Sequence, residues 1–450
     1  MFITLKSWTH YLCYLFVNRP KFVAGTSLTM VSLAVTLLTM SDLSLDVWAL
    51  TGVVGTIAGA LFTISDIKSL RNEIHDIDVS HYYNTAVIDS LVNNERLACI
   101  GDRYYLIDET VNAQIIDHAL NKPIDRRSSY KLLADATELK GITGFALLSY
   151  FRSGKFHSQT AFKSRIPVWN DRKIRLDTVP NELATAESIG IRPTNYFDYI
   201  AAGFFCLRKI ELKGATTITG NELIVGSGKA DGPWTIADIS KAQTAHHIGI
   251  NLVLTDKYHR LLYQKKNLSP GKVGNCAPSG SGSLDFSDLN DTSFEASIIA
   301  GALREFREET GWDKVTTSPQ FKSANFACRP IGLSIDLTRG LVTDFFVHAH
   351  TDGSIKEFIN SSKGKNHHDS FEIGKNSIDY FELKPPGKSS PSEVLDALLI
   401  TPDVATSAML SIALRLLKAA AVRNVEIGEQ LGVPPLCKRQ PVARNRSIPK

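Results

Sequence analysis

With 450 residues, of which 43% are hydrophobic, the chain is long enough for two or three folded units and has a globular composition. Its formal charge is +4, but the Lys and Arg residues of the C-terminal tail, at 438, 439, 444, 446 and 450, alone carry more than this charge. The rest of the chain is therefore close to neutral. This balance excludes a dedicated DNA-binding protein, and no sequence-specific DNA binding is expected. The six cysteines lack a Cys-x-x-Cys pair and fit a reducing compartment better than a disulfide framework.

Two uncharged apolar runs, 22–40 and 47–64, dominate the first unit, residues 1–71. At a rise of about 1.5 Å per residue, each is long enough to cross a hydrocarbon core of about 30 Å. They are therefore predicted to be two transmembrane helices in the lipid bilayer. The alternative is a signal peptide followed by one core helix, but the first run begins late and lacks a small-residue cleavage site.

The charges that flank these runs predict their orientation. Three cations precede the first run, and Lys68 and Arg71 follow the second, whereas the connecting loop 41–46 contains two Asp residues and no cation. Because cytoplasmic loops carry an excess of Lys and Arg, both termini and all of the soluble chain are predicted to be cytoplasmic.

Small residues recur in the second run at Gly52, Gly55 and Gly59. Such residues let helices approach closely in lipid. This packing surface is predicted to contact either the first helix of the same chain or a second copy, and the spacing does not choose between these partners.

Residues 72–240 have a mixed α/β pattern without a repeat or a recognised motif, so the sequence assigns them no role. Short strands are predicted at 97–107, 113–117, 144–151, 160–169 and 173–176. The aromatic residues of 196–199, followed by Phe204 and Phe205, either stack on a nucleic acid base or belong to a core.

The third unit, residues 241–425, opens with a predicted hairpin of strands 248–255 and 260–266. Lys265 and Lys266 at its end either contact phosphate groups or form a solvated strand end. The Gly/Ser-rich segment 274–283 is predicted to be flexible, so that its backbone near Gly280 and Gly282 can approach an anionic nucleotide. Two histidine pairs, His246–His247 and His367–His368, have no third ligand at a suitable spacing and are interpreted as exposed polar residues.

A helix is predicted from Phe294 to Gly311, and it carries the most specific pattern of the chain, R-E-Φ-x-E-E-x-G-Φ at 304–312, in which Φ is a large apolar residue. Helical spacing places Glu305, Glu308 and Glu309 on one face, where like charges repel each other. A hard divalent cation, Mg²⁺ or Mn²⁺, would relieve this repulsion because it prefers oxygen ligands. The alternative is a solvated acidic face that is paired with Arg304 and Arg307.

The remaining elements of the third unit are strands at 332–337, 341–350 and 378–383, followed by an amphipathic helix that begins at Thr401 and ends near Val422. The basic tail, 426–450, is predicted to be disordered.

The pattern at 304–312 resembles the second half of the Nudix signature, G-x5-E-x7-R-E-Φ-x-E-E-x-G-Φ, at every defined position. The resemblance implies that Glu305, Glu308 and Glu309 are metal ligands, that Glu308 or Glu309 supplies the catalytic base, and that Arg304 orients them. In the first half, direct alignment places Asn290 and Ala296 where the family has Gly and Glu. An alternative alignment uses Gly282 and Asp288, with fifteen residues before Arg304 instead of seven.

The order of units resembles the membrane-anchored Nudix effectors of bacterial CBASS antiphage systems. The expected fold is two transmembrane helices followed by a cytoplasmic α/β region that ends in a Nudix-like α/β/α sandwich. The resemblance implies that a partner cyclase makes a cyclic nucleotide, that the Nudix-like domain binds it, and that the helices form a homo-oligomer and breach the inner membrane. The alternative is a membrane-tethered Mg²⁺-dependent Nudix hydrolase of nucleoside diphosphate derivatives.

Overall fold

A computed structural model describes residues 20–39, 47–75, 77–83, 97–100, 103–118, 120–128, 171–205, 208–212, 217–219, 246–266, 275–312, 326–362, 378–383 and 408–431. The predicted strands at 144–151 and 160–169, the His367–His368 pair and the predicted helix start at Thr401 lie outside these residues.

The α-helices in these ranges are α1 (Pro20–Thr39), α2 (Val47–His75), α3 (Glu109–Asp117), α4 (Tyr196–Phe205), α5 (Phe294–Thr310), α6 (Ile355–Ser362), α7 (Ala408–Arg423) and α8 (Val425–Leu431). Helix α8 occupies the first residues of the segment predicted to be a disordered tail.

The strands are β1 (Ile77–Tyr83), β2 (Leu97–Ile100), β3 (Arg103–Leu106), β4 (Ile124–Arg126), β5 (Arg172–Leu176), β6 (Ile189–Asn195), β7 (Arg208–Leu212), β8 (Thr217–Thr219), β9 (Ile248–Asp256), β10 (Arg260–Lys266), β11 (Asn275–Ala277), β12 (Gly280–Ser283), β13 (Phe326–Asp336), β14 (Val342–Thr351) and β15 (Ile378–Glu382). The predictions of strands at β2, β3, β5, β9, β10, β13, β14 and β15 are confirmed.

Helices α1 and α2 form an antiparallel hairpin that contains two candidate membrane spans, Lys21–Leu38 and Leu50–Ser69. Their large apolar side chains point outward; Leu38, for example, is 74% exposed. The backbone N–H of Phe22 donates to Asp66 Oδ2 at 2.7 Å, so the start of α1 and the end of α2 lie side by side. Both helices are long and apolar enough to cross a membrane.

The glycines of α2 face α1 of the same chain. A Cβ atom at Gly59 would lie 2.6 Å from the carbonyl oxygen of Gly25, and one at Gly52 would lie 2.9 Å from that of Ser32. Gly55 likewise faces Ser32. Of the two partners that the sequence left open, the structure shows the first helix of the same chain.

A curled mixed sheet forms the centre of the soluble part, in the order β11–β10–β9–β14–β13–β3–β2, with β12 added on β9 and β15 on β10. Strands β9 and β14 are parallel, and the other pairs are antiparallel. Strands β2 and β3 precede residue 240, so the sheet crosses the boundary between the second and third predicted units.

Helices cover both faces of this sheet. On β9, Leu252 and Leu254 share a core with Phe306 of α5. The intervening Val253 belongs to a second core with Leu414 of α7. Because successive residues of a strand point to opposite faces, α5 and α7 lie on opposite sides of the sheet.

Two local predictions are wrong. Residues 113–117 were predicted as a strand but lie in α3, where Asp108 caps the helix by accepting from Thr110 N at 2.9 Å, and where Val111 and Ile115 are buried at helical spacing. Residues 275–283 were predicted to be flexible but form β11 and β12, because β10 and β9 offer their backbone groups as partners.

Two smaller sheets surround the central one. In the first, β1 begins two residues after α2 and pairs with β7, which in turn follows α4 along the chain. In the second, β6 lies between β4 and β5, and a bridge between Arg175 and His247 connects β5 to the start of β9. Residues 72–240 therefore continue along the chain from the helical hairpin and contribute strands β2 and β3 to the central sheet.

Candidate functional site

The two ends of α5 are fixed by its own sequence. Ser293 caps the start by accepting from Ala296 N at 3.0 Å. Gly311 ends the helix in the left-handed region at φ 64°. Trp312 is fully buried, 4.2 Å from the ring of Phe358 and 5.4 Å from that of Phe306. The Gly-Trp end of the pattern thus anchors the helix that carries the glutamates.

Arg304 connects α5 to the loop after β12. Its Nη2 lies 2.9 Å from Asp288 Oδ2 and donates to the carbonyl of Ser283 at 2.8 Å, while its Nη1 lies 3.0 Å from Glu305 Oε1 and 3.1 Å from Glu308 Oε2. Asp288 is buried, so this guanidinium compensates a charge that would otherwise be unpaired. Arg304 therefore positions two of the three glutamates.

Strands β12 and β10 also donate hydrogen bonds to the glutamate cluster. Glu309 Oε2 accepts from Ser281 N at 2.7 Å and from Gln264 Nε2 at 2.9 Å, and Glu305 Oε1 accepts from Ser283 N at 3.2 Å. Glu309 is buried, whereas Glu308 is exposed. The three carboxylates on this helix face thus differ in burial, with Glu309 buried, Glu305 partly buried and Glu308 exposed.

The electrostatics of the cluster are visible in Glu305. Burial raises the pKa of its carboxyl to about 7, the negative charges of Glu309 and Glu308 add to this effect, and Arg304 opposes it. A carboxyl with such a pKa exchanges its proton near neutral pH, which is the range required of a general base.

Gly280 and Gly282 lie against α5. A Cβ atom at Gly280 would be 2.6 Å from the Cα of Phe306, and one at Gly282 would collide with the Glu305 carboxylate. The adjacent N–H groups of Ser281 and Ser283 are bonded to glutamates. These glycines permit close packing of strand and helix, which is a different role from the predicted approach to an anion.

Within the part of the chain that the structure describes, no group of three or more His, Cys, Asp or Glu side chains is arranged to hold a metal ion. The donor chemistry of Glu305, Glu308 and Glu309 nevertheless fits a hard divalent cation, because all three offer oxygen ligands. Burial is the main cause of the raised pKa of Glu305, and Glu309 and Glu308 act in the same direction; a bound cation would oppose both effects.

Lys265 is already paired, since its Nζ lies 2.7 Å from Asp379 Oδ2 on the neighbouring strand. Its charge is therefore compensated within the fold. Lys266 ends β10 next to Asn275 of β11, and its side chain lies outside the described residues.

A cavity of about 360 Å³ lies beside β12, and Ser281, Gly282 and Ser283 form part of its wall. Its polar lining comes from distant parts of the chain, namely Arg103, Asn251, Arg339 and Asp344. No sequence motif connects these residues, so they were not predicted. The usable signal was the presence of Asn251 and Asp344 beside the apolar runs of β9 and β14.

The interpretation of His246 and His247 as exposed residues is wrong, because both are buried. Burial lowers the pKa of each well below the usual value, and the positive charges of Arg175 near His246 and Lys173 near His247 act in the same direction. His247 is therefore a neutral side chain, and it lines the cavity.

The aromatic residues of α4 differ in position: one belongs to the core and two line the cavity. Phe197 is fully buried in the fold, whereas Tyr196 and Tyr199 line the cavity. The ring of Tyr199 stacks on that of His247 at 4.7 Å. The side chains of Phe204 and Phe205 lie outside the described residues.

No protein-family model and no curated protein matches this chain. Its function must therefore be inferred from the geometry of its own residues.

Proposed function

We propose that this chain is a membrane-bound effector of a bacterial CBASS antiviral system, in which a Nudix-like domain senses a cyclic nucleotide and the helical hairpin disrupts the inner membrane. The observation that carries the proposal is the presence, in one chain, of two candidate membrane spans and an Arg–glutamate cluster of Nudix type. A housekeeping enzyme with a diffusible substrate has no evident need for a membrane anchor.

Two residue contacts and the arrangement of two helices support the interpretation of the third unit as a Nudix-like domain. Arg304 pairs with Asp288, and Gly282 touches Glu305, which favours the alternative alignment of Gly282 and Asp288 with the first half of the signature. The helices α5 and α7 on opposite faces of the sheet are the layers that an α/β/α sandwich requires.

Glu305, Glu308 and Glu309 would hold Mg²⁺ or Mn²⁺ in this domain. Such an ion supplies charge neutralisation for a phosphate or pyrophosphate group and activation of a water molecule. The chain itself orients the ligands: Arg304 fixes Glu305 and Glu308, while β12 and Gln264 fix Glu309.

A second candidate is the membrane-tethered Nudix hydrolase of nucleoside diphosphate derivatives. The specific observation in its favour is that Arg304 and β12 hold Glu305, Glu308 and Glu309 on one face of α5, as the second half of the Nudix signature implies for a hydrolytic site. The two candidates differ in what the membrane helices do, since a tethered hydrolase needs them only as an anchor.

The hairpin constrains how the proposed effector assembles. Gly52, Gly55 and Gly59 are used within the chain, so a homo-oligomer would form through the outward apolar faces of α1 and α2. A substitution that separates α1 from α2 would therefore disrupt the helical hairpin that is proposed to act on the membrane.

The experiment compares two substitutions by leucine on α2. With a cognate cyclase active in the same cells, the wild-type protein should admit an impermeant dye. Gly59→Leu, which forces α1 away, should abolish dye entry. Val54→Leu, at a position that is 58% exposed, replaces one apolar side chain by another and keeps the outward face apolar, so it should preserve dye entry. The amount of protein in the membrane fraction is measured for each variant.

A tethered hydrolase predicts a different pattern, in which activity depends on Glu309 and is indifferent to Gly59. Dye entry that persists in Gly59→Leu would contradict the role of the hairpin. Absence of dye entry from wild-type cells with any active cyclase would overturn the effector proposal itself.

A further inference from the structure

The cavity beside β12 is lined by three buried polar side chains, Asn251, Asp344 and His247. Their residues are only 2%, 4% and 4% exposed, respectively. Asn251 interacts with the Asp344 carboxylate, but within the described residues Asn251 Nδ2, Asp344 Oδ2 and His247 Nε2 make no hydrogen bond of good geometry. Buried polar groups in folded proteins are almost always well paired, so three poorly paired atoms around one cavity indicate room for a polar partner.

The strand register places the side chains of Asn251 and Asp344 on the same face of the sheet, where they form the floor of the cavity. Asp344 of β14 lies directly opposite Gly249 of β9, and Asn251 lies two residues further along β9, so both side chains point to the same face. A Cβ atom at Gly249 would collide with the Asp344 carboxylate. Glycine at this position therefore makes room for the buried acid.

An amide donor beside a carboxylate acceptor complements a base edge that carries an acceptor next to a donor. Adenine offers N1 beside its N6 amino group, guanine offers O6 beside its N1–H group, and cytosine offers N3 beside its N4 amino group. The choice among them comes from stacking: Tyr196, Tyr199 and His247 contribute aromatic rings to the cavity wall, and the two-ring face of a purine offers the larger stacking surface.

The charged groups suit an anion attached to such a base. Arg339 is held by its Nε–H donation to Tyr199 Oη at 2.7 Å, and Arg103 is 41% exposed, with Nη1 3.8 Å from Asp336 Oδ2. Two guanidinium groups and one carboxylate line the cavity, and the buried Asp336 beside Arg103 is a second acid, so the charges nearly balance. The partly exposed Arg103 is the cation that can face an anion. Guanidinium groups bind phosphate oxygens with directed hydrogen bonds.

We propose that this cavity binds one purine nucleotide unit, with the base edge at Asn251 and Asp344 and a phosphate at Arg103. The inference rests on the proposed function and deepens it, because it gives the sensed nucleotide a site distinct from the glutamate cluster. A volume of about 360 Å³ is at the small end of the range for ligand sites, which suits a single unit of a larger cyclic ligand.

The site gives residues 72–240 a role that their sequence does not reveal. Arg103 and the tyrosines of α4 come from this region, while the floor and β12 belong to the third unit. The ligand would therefore bridge two parts of the chain, and one of them continues directly from the membrane hairpin.

The test uses the full-length protein in detergent and the probes AMP, GMP, CMP, cyclic di-AMP, cyclic di-GMP and inorganic phosphate. Purine probes should bind more tightly than CMP or phosphate by titration calorimetry. Arg103→Gln and Asp344→Asn should each weaken the binding of the best probe about tenfold or more, because each removes a hydrogen bond to a charged group.

Two comparisons separate binding from folding. Arg329→Gln changes a similarly exposed arginine on β13 outside the cavity, and it should leave affinity within about twofold. Asp344→Asn keeps the size and shape of the buried side chain, so its melting temperature should stay close to that of the wild type while affinity falls. Weaker binding together with a lower melting temperature in this variant would overturn the assignment.

The inference and the proposed function fail in different ways. If no purine probe binds, or if Arg103→Gln and Asp344→Asn bind like the wild type, the cavity is not the nucleotide site. If binding is lost only in Glu309→Gln, the nucleotide lies at the glutamate cluster, and the effector proposal survives without this inference. If the cavity binds as expected but no cyclase provokes dye entry, the effector proposal fails and the site stands.

Discussion

The pKa of the Glu305 carboxyl is subject to opposing effects from neighbouring groups. Arg304 Nη1 lies 3.0 Å from its Oε1, yet burial and the neighbouring glutamates raise the pKa of the carboxyl to about 7. In the unfolded chain the same group titrates near 4.5. Because the folded protein holds the proton more tightly, the ionised form of Glu305 destabilises the fold.

This shift predicts how stability depends on pH in the absence of divalent metal. The contribution of Glu305 should be lost progressively as pH rises from about 4.5 to about 7, and the free energy of unfolding should fall by up to about 3 kcal/mol. Glu305→Gln lacks this titration. The difference in unfolding free energy between variant and wild type should therefore grow in favour of the variant between pH 4.5 and 8.

Other groups with shifted pKa values, such as Asp344 and His348, are present in both proteins and cancel in this difference. Addition of Mg²⁺ should stabilise the wild type more at pH 8 than at pH 5.5, because the ion must displace the Glu305 proton at the lower pH. A difference that does not change with pH would mean that Glu305 has an ordinary pKa.

At the scale of elements, the contact between β12 and α5 determines the shape of the glutamate cluster. Gly280 faces the helix backbone, whereas Gly282 faces the end of a side chain. The two glycines occupy equivalent positions of one strand, so the same substitution at each tests two different consequences.

Gly280→Ala should lower the free energy of unfolding by about 2 kcal/mol, because the backbone of Phe306 must move. Gly282→Ala should cost less than about 1 kcal/mol, because only the Glu305 carboxylate must turn away, but it should weaken Mg²⁺ binding about tenfold. Thermal unfolding and metal titration measure the two effects. Equal loss of stability in both variants would show that the Glu305 side chain cannot yield.

The sequence predicted α5, the hairpin of β9 and β10, and the helices α1 and α2, because each has a strong local pattern. It failed at α3, where the capping by Asp108 outweighs a short apolar run, and at β12, whose strand conformation depends on β9. It also failed at His246 and His247, because their burial depends on β5, α4 and β14, which are remote in the chain.

At the scale of the whole molecule, the hairpin fixes the relation of the two chain ends to a bilayer. The contact of Asp66 with the first turn of α1 places the start of α1 and the end of α2 on the same side. The cations at Lys68 and Arg71 lie towards that side, and the end of α1 and the start of α2 lie at the other. The positive-inside rule then predicts that the soluble region is cytoplasmic.

A labelling experiment on intact cells tests this topology. In a chain with Cys13 replaced by Ser, a cysteine at Ser44 should react with a membrane-impermeant maleimide, and a cysteine at Ser69 should not. Ser69 is exposed at the end of α2, so its protection would come from the membrane and not from burial. Reaction at Ser69 and protection at Ser44 would reverse the orientation and exclude a cytoplasmic ligand.

The cavity is a property of the whole molecule and could not be predicted from any single stretch of sequence. Its lining joins Arg103, Tyr199, Asn251, Arg339 and Asp344, which no periodicity or motif connects. The glutamate cluster, by contrast, lies within one helix, and its members were predictable from helical spacing alone.

The pairing of β3 with β13 has a consequence for the timing of biosynthesis. Leu106 pairs with Ile335, about 230 residues later in the chain. At a translation rate of about 5–20 residues per second, β3 waits roughly 10–50 s for its partner and meanwhile exposes an unpaired strand edge. The two candidate membrane spans leave the ribosome before β3. If they insert as they emerge, we expect membrane insertion to precede completion of the cavity.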